Sequence, residues 1–330
     1  MNPIKSLGLT RLFYVVLPCV GLLFGPVMQL CAAANPRDFQ GKGLAKFATY
    51  KFTVDRNLEY AVNFGLTNLV VAHQQAFGKR IPAGFKVQYR IFGEFSDYEA
   101  YSQRVYGKNI DRRMLGYYSP RGKEIVTWRQ SEPWRLMPTL QHEGCHAVMD
   151  AMYGNLPFWM IEGSADWFGE APAWLQKNDK GLLPVGRDQR NRWLRLEDMR
   201  RKGKLPNIRQ YFLTDEYEDW SNMFDKDIGL GYDIGWSIFD FFIRSGRSAK
   251  VVWPQQALAE ATRRSQQMPN RPPEIIFTQA VDTVWPKIRR PNGQQLTGID
   301  TFEVGWQSWI EINARAELMK IREEKKKEGP

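Results

Sequence analysis

Two histidines and a glutamate stand together in the run His142-Glu143-Gly144-Cys145-His146. Residues four apart on an α-helix lie about 40° apart around the axis and one turn along it. Two imidazoles so placed can grip one metal ion from the same face. Glu143 sits on the adjoining flank, where its carboxylate can reach a water beside the ion without itself becoming a ligand. This is the H-E-x-x-H spacing, and the chemistry it suits is metal-assisted hydrolysis. The chain of 330 residues has only 3 His, and two of them fall inside this run.

A metal on two histidines wants a third protein ligand and an open position. Gly154-Asn155 reads as the C-cap pair that ends the motif helix, and Pro157 as the start of the next helix. With the turn centred between Gly154 and Asn155, His146 lies about 12 Å back and Glu162 about 11 Å forward along helices that rise 1.5 Å per residue. In an antiparallel hairpin the two come out level. Asp166, one turn beyond Glu162 on the same face, comes out level with His142, where it can accept the other ring N–H and fix the tautomer. Cys145 is rotated about 60° from His142 and reads as a small buried residue. Gly144 costs about 1 kcal/mol against Ala in mid-helix and suggests the close approach of another backbone. His73, beside Gln74 and Gln75, reads as a polar surface or helix-end residue.

The elements that must carry these side chains follow from periodicity. Apolar residues at helical spacing over 58–77, with Asn57 as cap, predict a helix that Ile81-Pro82-Ala83-Gly84 ends. Residues 85–92 alternate as a strand with Val87, Tyr89 and Ile91 on one face. A short helix follows over 96–105, then two β-rich runs, 116–118 and 124–128, that read as a hairpin. The motif helix runs from Pro138 or earlier to Tyr153 and its partner over 157–168. Helices are expected over 191–202, 234–245, 255–265, 273–284 and 302–318. Strands first and helices later predict an α+β fold: a small mixed sheet packed on the motif helix, then a mainly helical C-terminal part.

The motif, with Leu156-Pro157-Phe158-Trp159-Met160-Ile161-Glu162-Gly163-Ser164-Ala165-Asp166 and the later Gly231-Tyr232-Asp233-Ile234-Gly235-Trp236-Ser237, resembles the gluzincin zinc metallopeptidases, particularly the peptidase-MA-like bacterial group. The resemblance spans about residues 85–245. It implies a zincin-like (thermolysin-like) domain that binds one Zn2+ per chain through His142, His146 and Glu162. It also implies cleavage of peptide bonds by a zinc-activated water with Glu143 as general base. A downstream tyrosine or histidine that stabilises the oxyanion in many relatives has no firm motif match here, and Tyr232 is the candidate. In such folds an edge strand beside the metal pairs with an extended peptide. The strand over 124–128, with Ile125, Val126 and Thr127, is the candidate, the alternative being an ordinary half-buried strand. Two other functions stay open: a noncatalytic zincin-fold scaffold of the cell envelope, or a zinc hydrolase of a non-peptide amide or ester. Retention of Glu143 favours an enzyme.

Composition sets the outer bounds. At 43% apolar and 25% charged, the chain is neither disordered, collagen-like nor a disulfide scaffold. Lys5 and Arg11 precede an uncharged apolar run over 12–30 and then Cys31-Ala32-Ala33-Ala34, which reads as a signal peptide cleaved after Ala34. The run's length also suits an uncleaved membrane anchor. Loss of residues 1–34 removes Lys5 and Arg11, so a formal charge of +10 becomes +8 and Cys145 is the one remaining cysteine. The protein is therefore expected to be exported and held together by its core. The division expected is 35–175 for the upper α+β part, 176–318 for the helical part and 319–330 for a charged tail. The segment from Arg187 to Arg209 holds nine Lys/Arg; it reads as a solvated helix face or as a dock for an anionic envelope or membrane surface. No nucleic-acid-binding module accompanies the charge.

Overall fold

Four strands form a mixed sheet in the order β1-β2-β4-β3: β1 (Ala45–Tyr50), β2 (Val87–Phe92), β3 (Gly116–Ser119) and β4 (Glu124–Trp128). The computed structural model describes residues 43–77, 79–130, 133–169, 187–248, 253–289 and 292–327. The expected leader, its cleavage point after Ala34 and the 175/176 division lie outside the described residues. Among those described, no helix is long and apolar enough to cross a membrane.

β1 and β2 are parallel, as are β2 and β4, while β3 returns antiparallel on β4. The parallel pairs need crossovers, and α1 (Arg56–Phe77) supplies the first; α2 (Phe95–Tyr106) lies between β2 and β3. Strand alternation sends Val87, Tyr89, Ile91 and Ile125 into one core with Leu66 and Leu69 of α1. It sends Phe92 and Val126 into a smaller cluster with Tyr98, Ile110 and Tyr117 on the other face. The half-exposed β1 carries too little apolar alternation to be read from sequence.

One expectation is overturned. β4 is bonded on both sides, by β2 and β3, and Ile125, Val126 and Thr127 are fully buried, so they cannot receive a peptide strand. The outer strand beside β4 is β3. A hairpin signal shows that two strands pair, but not which of them finds a further partner.

The chain then enters α3 (Pro133–Tyr153), five residues earlier than Pro138, because Pro133 suits the first helical position. Gly154, at φ 73°, ends α3 with its N–H on Asp150 O at 3.0 Å, and α4 (Phe158–Gly169) returns. The helical part comprises α5 (Arg187–Arg201), α6 (Ile208–Phe212), α7 (Tyr217–Met223), α8 (Ile228–Ser248), α9 (Trp253–Gln267) and α10 (Pro273–Val284). A two-strand hairpin, β5 (Ile288–Arg289) and β6 (Gln295–Leu296), precedes α11 (Gly298–Lys327). α11 continues past residue 318 with Arg315 on Glu311 and Lys320 on Glu317, pairs that suit a solvated helix.

α4 is held between α3 and α8. A Cβ on Gly163 would come 2.4 Å from Gly235 O, so only glycine lets the α4 and α8 backbones touch. Trp159 of α4 stacks on Phe212 with centroids 4.6 Å apart. Each fully buried Phe-sized side chain contributes roughly 1.5–3 kcal/mol, against about 0–1 kcal/mol for a surface ion pair. The core therefore outweighs the numerous ion pairs of the helical part. Those pairs do occupy the basic segment: Arg190 binds Glu317 and Glu324, Arg195 binds Asp227 and Asp233, Arg200 and Arg201 bind Glu197, and Lys202 binds Asp198.

Candidate metal centre

The α3–α4 hairpin brings His142, His146 and Glu162 together, with one ligand atom of each within 4.8 Å of the others. Glu162 stands between the two imidazoles: Oε2 is 3.5 Å from His142 Nε2 and Oε1 is 3.7 Å from His146 Nε2. The rings are nearly perpendicular, 88° apart, with centroids 4.8 Å apart. Glu143 Oε2 lies 3.9 Å from His146 Nε2, on the rim of the group. Asp166 Oδ1 lies 3.3 Å from His142 Nδ1, on the side away from Glu162. The residues read from helix arithmetic are thus neighbours, with Glu162 serving both histidines rather than standing level with His146 alone.

The donor set fits a divalent ion. Bonds of 2.0–2.2 Å in a tetrahedral site put neighbouring ligand atoms ~3.3–3.6 Å apart, and the two N···O separations are close to that. Glu162 Oε2 is buried and makes no hydrogen bond, as suits an atom turned towards an ion. Burial opposes charge on His142, but Asp166 and Glu162 outweigh it and raise its pKa well above the ordinary 6.5. Burial lowers the pKa of His146. Burial alone would push Glu162 up, yet the His146 and His142 charges bring it below its ordinary value. Two imidazoles and a buried carboxylate facing one point make a strong site for a cation.

Helices beyond the hairpin steady this group. Arg192 of α5 donates from Nη2 to Asp166 Oδ2 at 2.9 Å, and its Nε is 3.3 Å from Asp233 Oδ1 of α8. Arg195 Nη1 donates to Asp233 Oδ2 at 2.9 Å. Burial works against the Asp166 charge, but its bond to His142 and the Arg192 charge hold its pKa below the ordinary value. Arg192 was indistinguishable in the sequence from its neighbours in a basic run.

Tyr232 lies at the group, and a second tyrosine comes with it. The ring of Tyr217, on α7, lies 6.0 Å from that of Tyr232, and Glu162 is close enough for its charge to act on both phenols. Desolvation and the Glu162 charge raise both phenols far above their ordinary value. Tyr217 is still 42% exposed, which puts it at the mouth of the site. No spacing in the acidic stretch around it marks it out.

Two smaller expectations fail. His73 is fully buried, 4.7 Å from the Phe168 ring and 3.8 Å from Cys145 Sγ, because α1 turns that position onto α3 and α4 instead of solvent. Gly144 makes room for the side chains of Tyr89 and Leu66, not for a backbone. Cys145 is buried as expected, and burial raises its thiol far out of the reactive range. No protein-family model matches the chain, and no curated protein matches it.

Proposed function

We propose that this protein is an exported zinc metallopeptidase of the gluzincin type with a zincin-like fold. The observation that carries the reading is Glu162, delivered by a second helix to a point between His142 and His146, with Glu143 on the rim and Asp166 behind. His142, His146 and Glu162 would hold a zinc ion, which would supply the Lewis acidity that lowers the pKa of water and polarises a carbonyl. Glu143 takes the proton of the attacking water and returns it to the leaving amine. Asp166, clamped by Arg192, keeps His142 in the tautomer whose Nε2 is free to bind. The hydroxyls of Tyr217 and Tyr232 are donors for the oxygen that gains charge in the transition state. β3 is the outer strand against which an extended substrate can pair. Export rests on the leader-like residues 1–34 of the sequence.

Purified protein is expected to carry about one Zn per chain by elemental analysis, lost in the double variant His142→Ala/His146→Ala. Glu143→Gln should keep the metal and lose peptide cleavage at least ~100-fold, the usual contribution of a general base. Protein without metal, or unchanged turnover in Glu143→Gln, defeats the proposal.

A further inference from the structure

Lys108 is a cation that the chemistry above leaves unused. It follows α2, which ends at Gly107 in the left-handed conformation with φ 65°. Gly107 N–H donates to Gln103 O at 2.9 Å and Lys108 N–H to Ser102 O at 3.2 Å, so the backbone carrying the side chain is fixed. The ammonium stands over the face of Tyr117 on β3, 4.2 Å from the ring centroid, within the range of cation–π attraction. Lys108 is half-buried, and burial lowers its pKa; the charges that act against this are those of Glu143 and Glu162. Among the described residues no carboxylate forms an ion pair with it.

A partly desolvated ammonium needs a counter-charge. A divalent ion on the triad would take up the Glu162 charge and leave Glu143 as the charge of the chain that acts on Lys108; with no ion pair to hold it, the ammonium stays open to a carboxylate brought by a substrate. The side chain rests on the middle of the outer strand, and a peptide paired with β3 would pass 4.7–4.9 Å from that strand, beside the ammonium. We propose that Lys108 reads a carboxylate on the substrate, so that the protein acts on peptides with an acidic side chain or a free terminal carboxylate close to the scissile bond. This inference rests on the peptidase reading.

Four matched peptide pools test it, with acidic side chains or their amides, each with a free or an amidated C-terminus. Cleavage by wild type, Lys108→Met and Lys108→Glu is followed by mass spectrometry. Binding of the same pools to Glu143→Gln and to Glu143→Gln/Lys108→Met is followed by fluorescence anisotropy, which needs no turnover. Wild type should favour a carboxylate-bearing pool by roughly 10- to 100-fold, the range of a charged hydrogen bond. Whether the preference falls with side-chain or with terminal amidation identifies the source of the carboxylate. Lys108→Met should abolish the preference, mainly through KM, and Lys108→Glu should invert it towards the amide pools. Equal handling of acidic and amide pools by wild type, or a preference that survives Lys108→Met, overturns the inference. If wild type cleaves no pool, the peptidase reading fails, and binding to the Glu143→Gln pair of proteins still decides Lys108. Absence of binding to every pool overturns it as well.

Discussion

His73 shows how much one position can depend on its surroundings. Its Nδ1 is buried without a partner, and its Nε2 faces only the Cys145 sulfur at 3.8 Å. Burial lowers its pKa to about 3, so the folded protein keeps the ring neutral while the unfolded chain protonates near 6.5. Below pH 6.5 the unfolded state binds the additional proton, and stability falls until about pH 3, by up to ~1.4 kcal/mol per pH unit. In the metal-free protein His142 acts with the opposite sign. Its raised pKa stabilises below 6.5, and that contribution is lost as pH rises through the folded value. Replacing His73 by Phe removes the first titration and keeps a ring against Phe77, Tyr153 and Phe168. Melting temperatures between pH 7 and pH 4 should therefore drop more steeply for wild type than for His73→Phe. Parallel curves would show that His73 does not titrate with folding.

At the scale of elements, the site depends on how α4 is wedged. Helix arithmetic placed Glu162 and Asp166 opposite the motif because both helices start from one short turn at Gly154. The arithmetic could not show that α8 presses on α4 from the other side, with Gly163 against Gly235. An added methyl at Gly163 meets a backbone carbonyl, which cannot move without shifting α8. Gly163→Ala should cost about 1–3 kcal/mol, the usual penalty of overpacking, read from the denaturant midpoint. Because Glu162 is the preceding residue, zinc affinity measured by chelator competition should fall in the same variant. An unchanged midpoint would refute the tight contact.

At the scale of the molecule, the sheet and the helical part share one core. Its buried members run from Leu66 and Ile125 through Trp159 to Phe242, Phe277 and Trp306. One polar end is matched across that join, where Trp167 Nε1 of α4 donates to Asp240 Oδ1 of α8 at 2.8 Å; within the helical part Trp306 Nε1 donates to Ser237 Oγ at 3.0 Å. A chain of residues 35–330 should unfold in one calorimetric transition. A fragment of residues 35–175 should not fold alone, since it would expose Trp159 and Phe168 to water. Two separate transitions, or a folded fragment by circular dichroism, would contradict this.

What the sequence determined by itself was local and periodic. Helical spacing brought His142 and His146 to one face, the Gly154 turn set the level of Glu162 and Asp166, and alternation sorted Val87, Tyr89 and Ile91 to one side of β2. These follow from distances of a few residues along one chain, where backbone geometry leaves little freedom. Only tertiary structure decided that β4 lies inside the sheet, that His73 is buried, that Arg192 reaches Asp166 and that Lys108 lies over Tyr117 of the outer strand. Most of those contacts join segments separated by long stretches of chain, and all depend on how whole elements pack. No spacing within a single segment carries that information.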